Sequence, residues 1–179
     1  VVKRRNAGRE PLKRVPEEVI DKMYSRFATQ KIPSGIKVLK PDELDSIWLK
    51  MIDLSEYKKI HHIGDIHGCN TVLQKYLNDN GGIKDDEFYI FTGDFIDRGI
   101  ENAEVVKFLI SIMDKKNVLM LEGNHERWLT IYGHGGVGKS KEFELVTKPA
   151  LDEANIDKKQ IRQLYRKFAQ CAYYKYGDK

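Results

Sequence analysis

The chain of 179 residues has few of the residues that mark several classes of protein. Its two cysteines, Cys69 and Cys171, form neither a disulfide framework nor a Cys-x-x-Cys metal pair, so a reducing, cytoplasmic compartment is expected. Five prolines and 14 glycines, without any repeat, exclude collagen-like and low-complexity chains. No apolar run approaches the roughly 18 residues of a membrane span, so no membrane partner is expected.

The positive charge is concentrated in the first residues. The chain carries 31 Lys and Arg against 27 Asp and Glu, which gives a net charge of +4. Residues 1–14 contain six basic side chains and one acidic side chain, a local charge of +5, so the rest of the chain sums to −1. Any affinity for polyanions is therefore expected in this segment.

Hydrophobic periodicity divides the chain into helices and strands. Before residue 58, the pattern predicts a helix over 16–29, a short strand at 35–39 and a helix over 41–54. After it, strands are predicted at 59–63, 88–92, 118–121 and, in part, 172–176, and helices at 70–78, 101–114, 141–147 and 158–170. The alternation of strands and helices from residue 59 to residue 121 predicts an α/β fold with a parallel sheet.

Three consecutive predicted strands each end in a glycine that is followed by side chains able to bind metal. Because the carboxyl ends of parallel strands meet at one edge of a sheet, these side chains are expected to converge. They are Asp65, His67, Asp94, Asp97, Asn124 and His125. Carboxylate, imidazole and amide groups suit Mn, Fe or Zn rather than a thiolate-bound metal, and two such ions can act on both oxygens of a phosphoryl displacement.

The three segments also resemble a known family. Gly64-Asp65-Ile66-His67-Gly68, Gly93-Asp94-Phe95-Ile96-Asp97-Arg98-Gly99 and Gly123-Asn124-His125-Glu126 are similar to the GDxHG, GDxxDRG and GNHE motifs of the calcineurin-like metallophosphoesterases, in the phosphoprotein-phosphatase branch. The resemblance covers about residues 60–130. It implies a metallophosphoesterase fold and hydrolysis of phosphate monoesters at two divalent ions, with manganese favoured and iron, zinc, nickel or magnesium as the other candidates.

The resemblance further implies a role for each motif residue. The metal ligands would be Asp65, His67, Asp94 and Asn124, with Asp94 bridging both ions. His125, held by Asp97, would protonate the leaving oxygen, and Arg98 would bind the phosphoryl oxygens. A water molecule activated by the metals would be the nucleophile.

The same family supplies two further metal-binding histidines from later strands. After His125 the sequence contains only His134, which lies in a glycine-rich stretch with no predicted strand before it. We therefore expect a phosphoesterase domain over 58–179 that holds only the first part of the fold, preceded by a connector with a helix over 31–57. The sequence leaves the oligomeric state open.

The basic segment at residues 1–30 suggests that the chain binds nucleic acid. The string that includes Arg5-Asn6, Arg9 and Lys13-Arg14-Val15-Pro16 resembles the lid and last helix of phage-type polynucleotide kinases. That resemblance implies a longer kinase–phosphatase whose phosphatase acts on RNA ends during repair. A solvated basic tail that contacts a phosphate backbone non-specifically would carry the same charge.

Other interpretations stay open at this stage. A protein Ser/Thr phosphatase, a dinucleoside-polyphosphate phosphatase or a catalytically incomplete metal- or RNA-binding fragment would share the three motifs. Gly133–Ser140 matches the nucleotide-binding pattern GxxxxGK(S/T), but no strand is predicted before it, so a surface loop is expected. His61 and His62 are expected to include one satisfied core histidine, and Cys69 is expected to be a buried helix residue.

Overall fold

The computed structural model describes residues 2–29 and 51–177, and the chain divides into two compact units, Val1–Trp48 and Leu49–Lys179. The first unit contains helix α1 (Val2–Ala7) and helix α2 (Glu17–Ala28). The side chain of Asn6 joins α1 to the segment just before α2, because its amide oxygen accepts from Val15 N at 2.9 Å and its amide nitrogen donates to Val15 O at 2.7 Å. Helix α2 confirms the helix predicted over 16–29.

The predictions between residues 30 and 50 lie outside the described residues. They are the strand at 35–39 and most of the helix at 41–54. The last part of that helix prediction is wrong, because strand β1 (Ile52–Asp53) forms there instead. It pairs in parallel with strand β6 (Tyr174–Lys175), which lies within the strand predicted at 172–176.

The main sheet contains four parallel strands. In spatial order they are β2 (Lys59–Ile63), β3 (Glu87–Phe91), β4 (Val118–Leu121) and β5 (Phe168–Ala169). The first three confirm the predicted strands, with β3 displaced by one residue, and the all-parallel order confirms the α/β prediction. Their carboxyl ends therefore lie at one edge, where the three motifs begin.

Helices connect these strands. They are α3 (Asn70–Asp79), α4 (Asn102–Ile112), α5 (Arg127–Gly133), α6 (Lys148–Glu153) and α7 (Lys158–Tyr165), with a π-helix at Phe143–Thr147 that continues into α6. The helix predicted over 158–170 is wrong beyond Tyr165. Phe168 and Ala169 instead pair with β4, whose outer edge would otherwise leave backbone groups unpaired.

The sheet buries apolar side chains on both faces. In β3, Tyr89 and Phe91 join the larger core, which α3 to α7 also line, while Phe88 and Ile90 pack with Leu54 on the other face. Burial of both faces explains why this strand is a nearly continuous apolar run, as expected for a parallel sheet. None of the helices within residues 2–29 and 51–177 is long and apolar enough to cross a membrane.

Three minor predictions are decided by the structure. His61 is the satisfied core histidine, since it is buried between Tyr76 and Glu87, whereas His62 is exposed. Cys69 is exposed because it precedes the first residue of α3, so its predicted burial is wrong. Gly133–Ser140 begins at the last residue of helix α5 rather than after a strand, which confirms that it lacks the setting of a phosphate-binding loop.

Candidate metal centre and active site

The segments that follow β2, β3 and β4 form three loops, at residues 64–69, 92–101 and 122–126, which we call the first, second and third motif loops. Backbone hydrogen bonds join the first two. His67 N donates to Asp94 O and Gly68 N donates to Phe95 O, both at 2.9 Å, and Gly99 N donates back to His67 O at 2.9 Å. The first loop is therefore fixed against the second without the help of any side chain.

The Glu126 carboxylate joins the second and third loops. It accepts hydrogen bonds from the backbone N–H groups of Asp94 (2.9 Å), Phe95 (2.8 Å) and Gly123 (2.8 Å), and the residue is fully buried. Burial raises the pKa of Glu126, and the three N–H donors oppose that rise. Sequence reasoning assigned no role to Glu126, although it is the last letter of the third motif.

Two glycines allow the second and third loops to approach each other closely. Gly93 has φ +94°, and a Cβ there would lie 2.5 Å from the backbone nitrogen of Gly123. A Cβ on Gly123 would in turn collide with Asp94 and Glu126. Side chains at these positions would therefore separate Asp94 from the third loop.

Backbone strain is concentrated in the motif loops. Among the described residues, six that are not glycine have positive φ, and five of them are predicted site residues. The five are Asp65 (+51°), His67 (+43°), Asp94 (+52°), Asp97 (+70°) and Arg98 (+64°). Such conformations cost on the order of 1–3 kcal/mol each and persist where the surroundings enforce them, which makes them an indication of a functional site.

His67, Asp94 and His125 form one of two groups of possible metal ligands among the described residues. One candidate ligand atom from each lies within 4.8 Å of the other two. His67 Nδ1 is 3.0 Å from the carbonyl oxygen of Ile96, which can only accept, so Nδ1 carries the proton and Nε2 keeps its lone pair. Metal-binding histidines are typically oriented by a hydrogen bond of this kind, and the imidazole and carboxylate donors fit a divalent transition metal.

The other predicted binding residues lie in the same loops, but their side chains are exposed to solvent. Asp65, Arg98 and Asn124 are exposed, in the first, second and third loops respectively. Within residues 2–29 and 51–177, none of these three side chains forms a hydrogen bond with another residue. They are therefore available to a metal ion or a substrate.

His125 and Asp97 are in hydrogen-bond contact in a largely buried position. His125 Nδ1 lies 2.7 Å from Asp97 Oδ2, and the Asp97 side chain is completely buried. The His125 ring also contacts the His67 ring at nearly a right angle, with centroids 4.9 Å apart. A carboxylate-held histidine suits either a proton donor or a metal ligand, so the geometry is compatible with both roles for His125.

Sequence reasoning missed three residues that support this pair. Asn102, at the start of α4, accepts from Asp97 N at 2.8 Å and donates to Gly99 O at 2.7 Å. A Glu142 carboxylate oxygen lies within 4.8 Å of the nearest ligand atoms of both Asp97 and His125. The Thr147 hydroxyl donates to Asp97 Oδ1. None of the three belongs to a motif, and the segment with Glu142 and Thr147 showed only helical periodicity.

These observations define an α/β protein whose parallel strands present histidine and carboxylate side chains that could bind metal at their carboxyl edge. The chain belongs to the calcineurin-like phosphoesterase family, whose sequence model matches residues 58–169. That match confirms the family identified from the three motifs.

Curated relatives are similar over the motif region only. A putative serine/threonine-protein phosphatase of Caenorhabditis elegans is 42% identical over 74 residues, which are 39% of this chain and 16% of the relative. Serine/threonine-protein phosphatase PP1-delta of the same organism is 42% identical over 65 residues, which are 35% of this chain and 21% of the relative. The matches thus span about a fifth of the relatives' length or less.

Solved structures include a serine/threonine phosphatase from Saccharomyces cerevisiae. It is 20% identical, with a TM-score of 0.47, and the match covers 89% of this chain and 51% of the yeast chain.

Proposed function

We propose that the chain is a metal-dependent phosphoesterase that hydrolyses phosphate monoesters. The observation that carries the proposal is that two proposed metal ligands, His67 and Asp94, lie within 4.8 Å of the proposed proton donor His125, in a member of the calcineurin-like phosphoesterase family. This family uses a binuclear centre of divalent metals. We propose manganese as the metal here, with iron, zinc, nickel and magnesium as alternatives, because the site offers oxygen and imidazole donors and no thiolate.

The proposed ligands are Asp65, His67, Asp94 and Asn124. Asp94 is the proposed bridge, because its carbonyl oxygen accepts from the first loop while its carboxylate oxygen lies 3.4 Å from His125 N in the third. When bound, the metal ions supply Lewis-acid activation of a water molecule and of the phosphoryl oxygens.

The remaining roles fall to side chains of the second and third loops. Because Asp97 engages Nδ1 of His125, the Nε2 atom is the one free to give its proton to the leaving oxygen. Arg98 is proposed to bind the phosphoryl oxygens, since a guanidinium matches two of them at once and its side chain is exposed beside Asp97.

The test is hydrolysis of nitrophenyl phosphate by the purified chain, with and without added Mn²⁺. We expect Mn²⁺-dependent turnover that falls about 100-fold or more in Asp94→Asn, because the bridging carboxylate is lost. Asp85→Asn, an exposed residue outside the loops, is the matched control and should retain wild-type turnover. Turnover that does not depend on metal, or that survives in Asp94→Asn, contradicts the proposal.

For the substrate, we propose nucleic-acid ends, with phosphorylated Ser or Thr in proteins as the second candidate. The first is supported by the basic N-terminal segment, where Arg4, Arg5 and Arg9 form no salt bridge within the described residues. The second is supported by the two curated relatives, which are named as serine/threonine-protein phosphatases. Rates on a 3′-phosphorylated RNA, a phosphothreonine peptide and a dinucleoside polyphosphate separate these classes.

The kinase-lid resemblance of residues 1–30 stays a prediction. No family match or relative described above supports it, and the family match begins only at residue 58. The cytoplasmic compartment is likewise a proposal, supported by two exposed cysteines that are not in disulfides.

A further inference from the structure

The π-helix at Phe143–Thr147 places a hydroxyl against the buried end of the candidate site. Thr147 is fully buried, and its Oγ1 donates to Asp97 Oδ1 across 50 positions of sequence. The other carboxylate oxygen, Oδ2, contacts His125 Nδ1. Each oxygen of Asp97 therefore has its own directed hydrogen bond, one from Thr147 and one from His125.

This arrangement leaves Asp97 little freedom. Its backbone is held by the hydrogen bond from its N–H to Asn102, so the side-chain torsions are the remaining variables. With the Thr147 bond in place, the carboxylate plane is fixed, and the direction of Oδ2 toward the His125 ring is fixed with it. Without that bond, the carboxylate could rotate and carry the imidazole with it.

Packing alone does not explain a threonine at this position. Phe143, four residues earlier, is buried in the core, and a valine at 147 would fill the same volume without a polar atom. The π-helix interrupts regular α-helical geometry at just this turn, and π-turns occur frequently at functional sites. The irregular turn thus carries a buried hydroxyl whose hydrogen bond goes to the Asp97 carboxylate.

We propose that Thr147 is a positioning residue for the reaction: it holds Asp97 so that His125 presents Nε2 to the leaving oxygen. The inference rests on the proposed phosphoesterase function. In that reaction the bond between phosphorus and the leaving oxygen breaks as the water oxygen bonds to phosphorus. The proton on His125 Nε2 goes to the leaving oxygen, and a proton from the water is released to solvent.

A dependence on the leaving group tests this role. Nitrophenolate leaves without a proton, whereas phenolate, a stronger base, needs one. We expect Thr147→Val to lower kcat about tenfold on phenyl phosphate and less than about twofold on nitrophenyl phosphate, with KM unchanged. Thr147→Ser, which keeps the hydroxyl, should stay within about twofold of wild type on both substrates.

Two controls separate positioning from stability. Thr130→Val removes another buried hydroxyl, one that forms no hydrogen bond with Asp97 or His125, and should leave the ratio of the two rates unchanged. In a His125→Asn background, Thr147→Val should cause no further loss on phenyl phosphate, because the group through which it acts is already absent.

Each outcome supports or overturns the inference. Equal losses on the two substrates, no loss at all, or a further loss in the His125→Asn background would overturn it. If Thr147→Val does not fold, Thr147→Cys takes its place with the same expected split between substrates, because a thiol is of similar size and donates only weakly. If the wild-type protein hydrolyses neither substrate, the proposed function itself is contradicted. If the wild type is active but Thr147→Val loses the same factor of kcat on both substrates, only the role of Thr147 is contradicted.

Discussion

The Glu87 side chain connects β3 to β2 and to the turn before β3. His61 Nε2 donates to its carboxylate at 2.7 Å, as do the Tyr89 hydroxyl at 3.1 Å and Lys84 Nζ at 3.3 Å. These contacts, with His61 the largest, lower the pKa of Glu87 from 4.5 to about 2. Because the pKa of the folded state is depressed, the ionised carboxylate stabilises the fold fully above pH 4.5, and this contribution is lost as the pH falls toward 2.

Glu87→Gln should therefore change the acid sensitivity of the fold. We expect a lower free energy of unfolding near neutral pH and a shallower decline between pH 4.5 and 2 than in wild type. Urea unfolding at several pH values measures both. Asp85→Asn, an exposed neighbour, is the control and should follow the wild-type decline. A Glu87→Gln curve parallel to wild type over this range would show that the carboxylate is not coupled to folding.

At the scale of single residues, the sequence predicted the motif residues but not those that hold them. Asp97 and His125 meet as expected, since both lie in motifs at strand ends. The roles of Glu126 and Thr147 depend on which backbone or carboxylate atom each side chain reaches, and those atoms lie 32 and 50 positions away. Such contacts follow from tertiary packing and produce no spacing pattern in a sequence.

At the scale of elements, long regular segments were predictable and short ones were not. Strand β3 is a run of apolar residues and was found within one position, whereas β1 and β5, with two residues each, were predicted as the ends of helices. In the sequence, the π-helix cannot be distinguished from an α-helix, because the spacing of its apolar residues differs from α-helical spacing by one residue in a single turn.

The turn that separates β4 from α5 supplies an element-scale prediction. Gly123→Ala should cost about 3 kcal/mol of unfolding free energy, because its Cβ would collide with Asp94 and Glu126. It should also weaken Mn²⁺ binding about tenfold or more, since the collision displaces Asp94. The measurements are urea unfolding and calorimetric Mn²⁺ titration.

Gly82→Ala is the control for the glycine itself. Gly82 has φ +81° but no atom near its Cβ position, so alanine there should cost about 1–2 kcal/mol through backbone strain alone. Its Mn²⁺ affinity should match wild type, because the residue lies in the turn after α3, away from the motif loops. Equal metal affinities in both variants would refute the view that close approach of the second and third loops shapes the site.

At the scale of the whole molecule, the parallel sheet brings together motifs that no local segment could join. Residues of the first and third motifs are far apart in sequence, yet parallel strands bring their ends to one edge, and backbone bonds and Glu126 then join the loops. The fold class and the edge at which the site forms were therefore predictable from the order of strands and motifs. The charge distribution is the other whole-molecule feature, because the local charge of +5 lies in residues 1–14, at the start of the first unit.

The charge asymmetry allows a test of the proposal that the chain acts on nucleic-acid ends. Replacing Arg4, Arg5 and Arg9 by Gln removes three of the basic side chains of the first unit and lowers the net charge from +4 to +1. For every phosphate that is no longer neutralised, the slope of log affinity against log salt should flatten by about 0.7, so we expect a slope shallower by about 2 and weaker binding to a single-stranded RNA. Hydrolysis of nitrophenyl phosphate should not change, because none of the three residues lies in a motif loop.

A matched variant decides whether position or total charge matters. Replacing Lys107, Lys115 and Lys116 by Gln makes the same change in net charge at exposed residues of the second unit. If the N-terminal segment is the RNA-binding surface, this variant should keep the wild-type affinity and salt slope, measured by fluorescence anisotropy. Equal effects of the two triple variants would instead assign binding to the overall charge, and the proposal that nucleic-acid ends are the substrate would lose the observation that supports it.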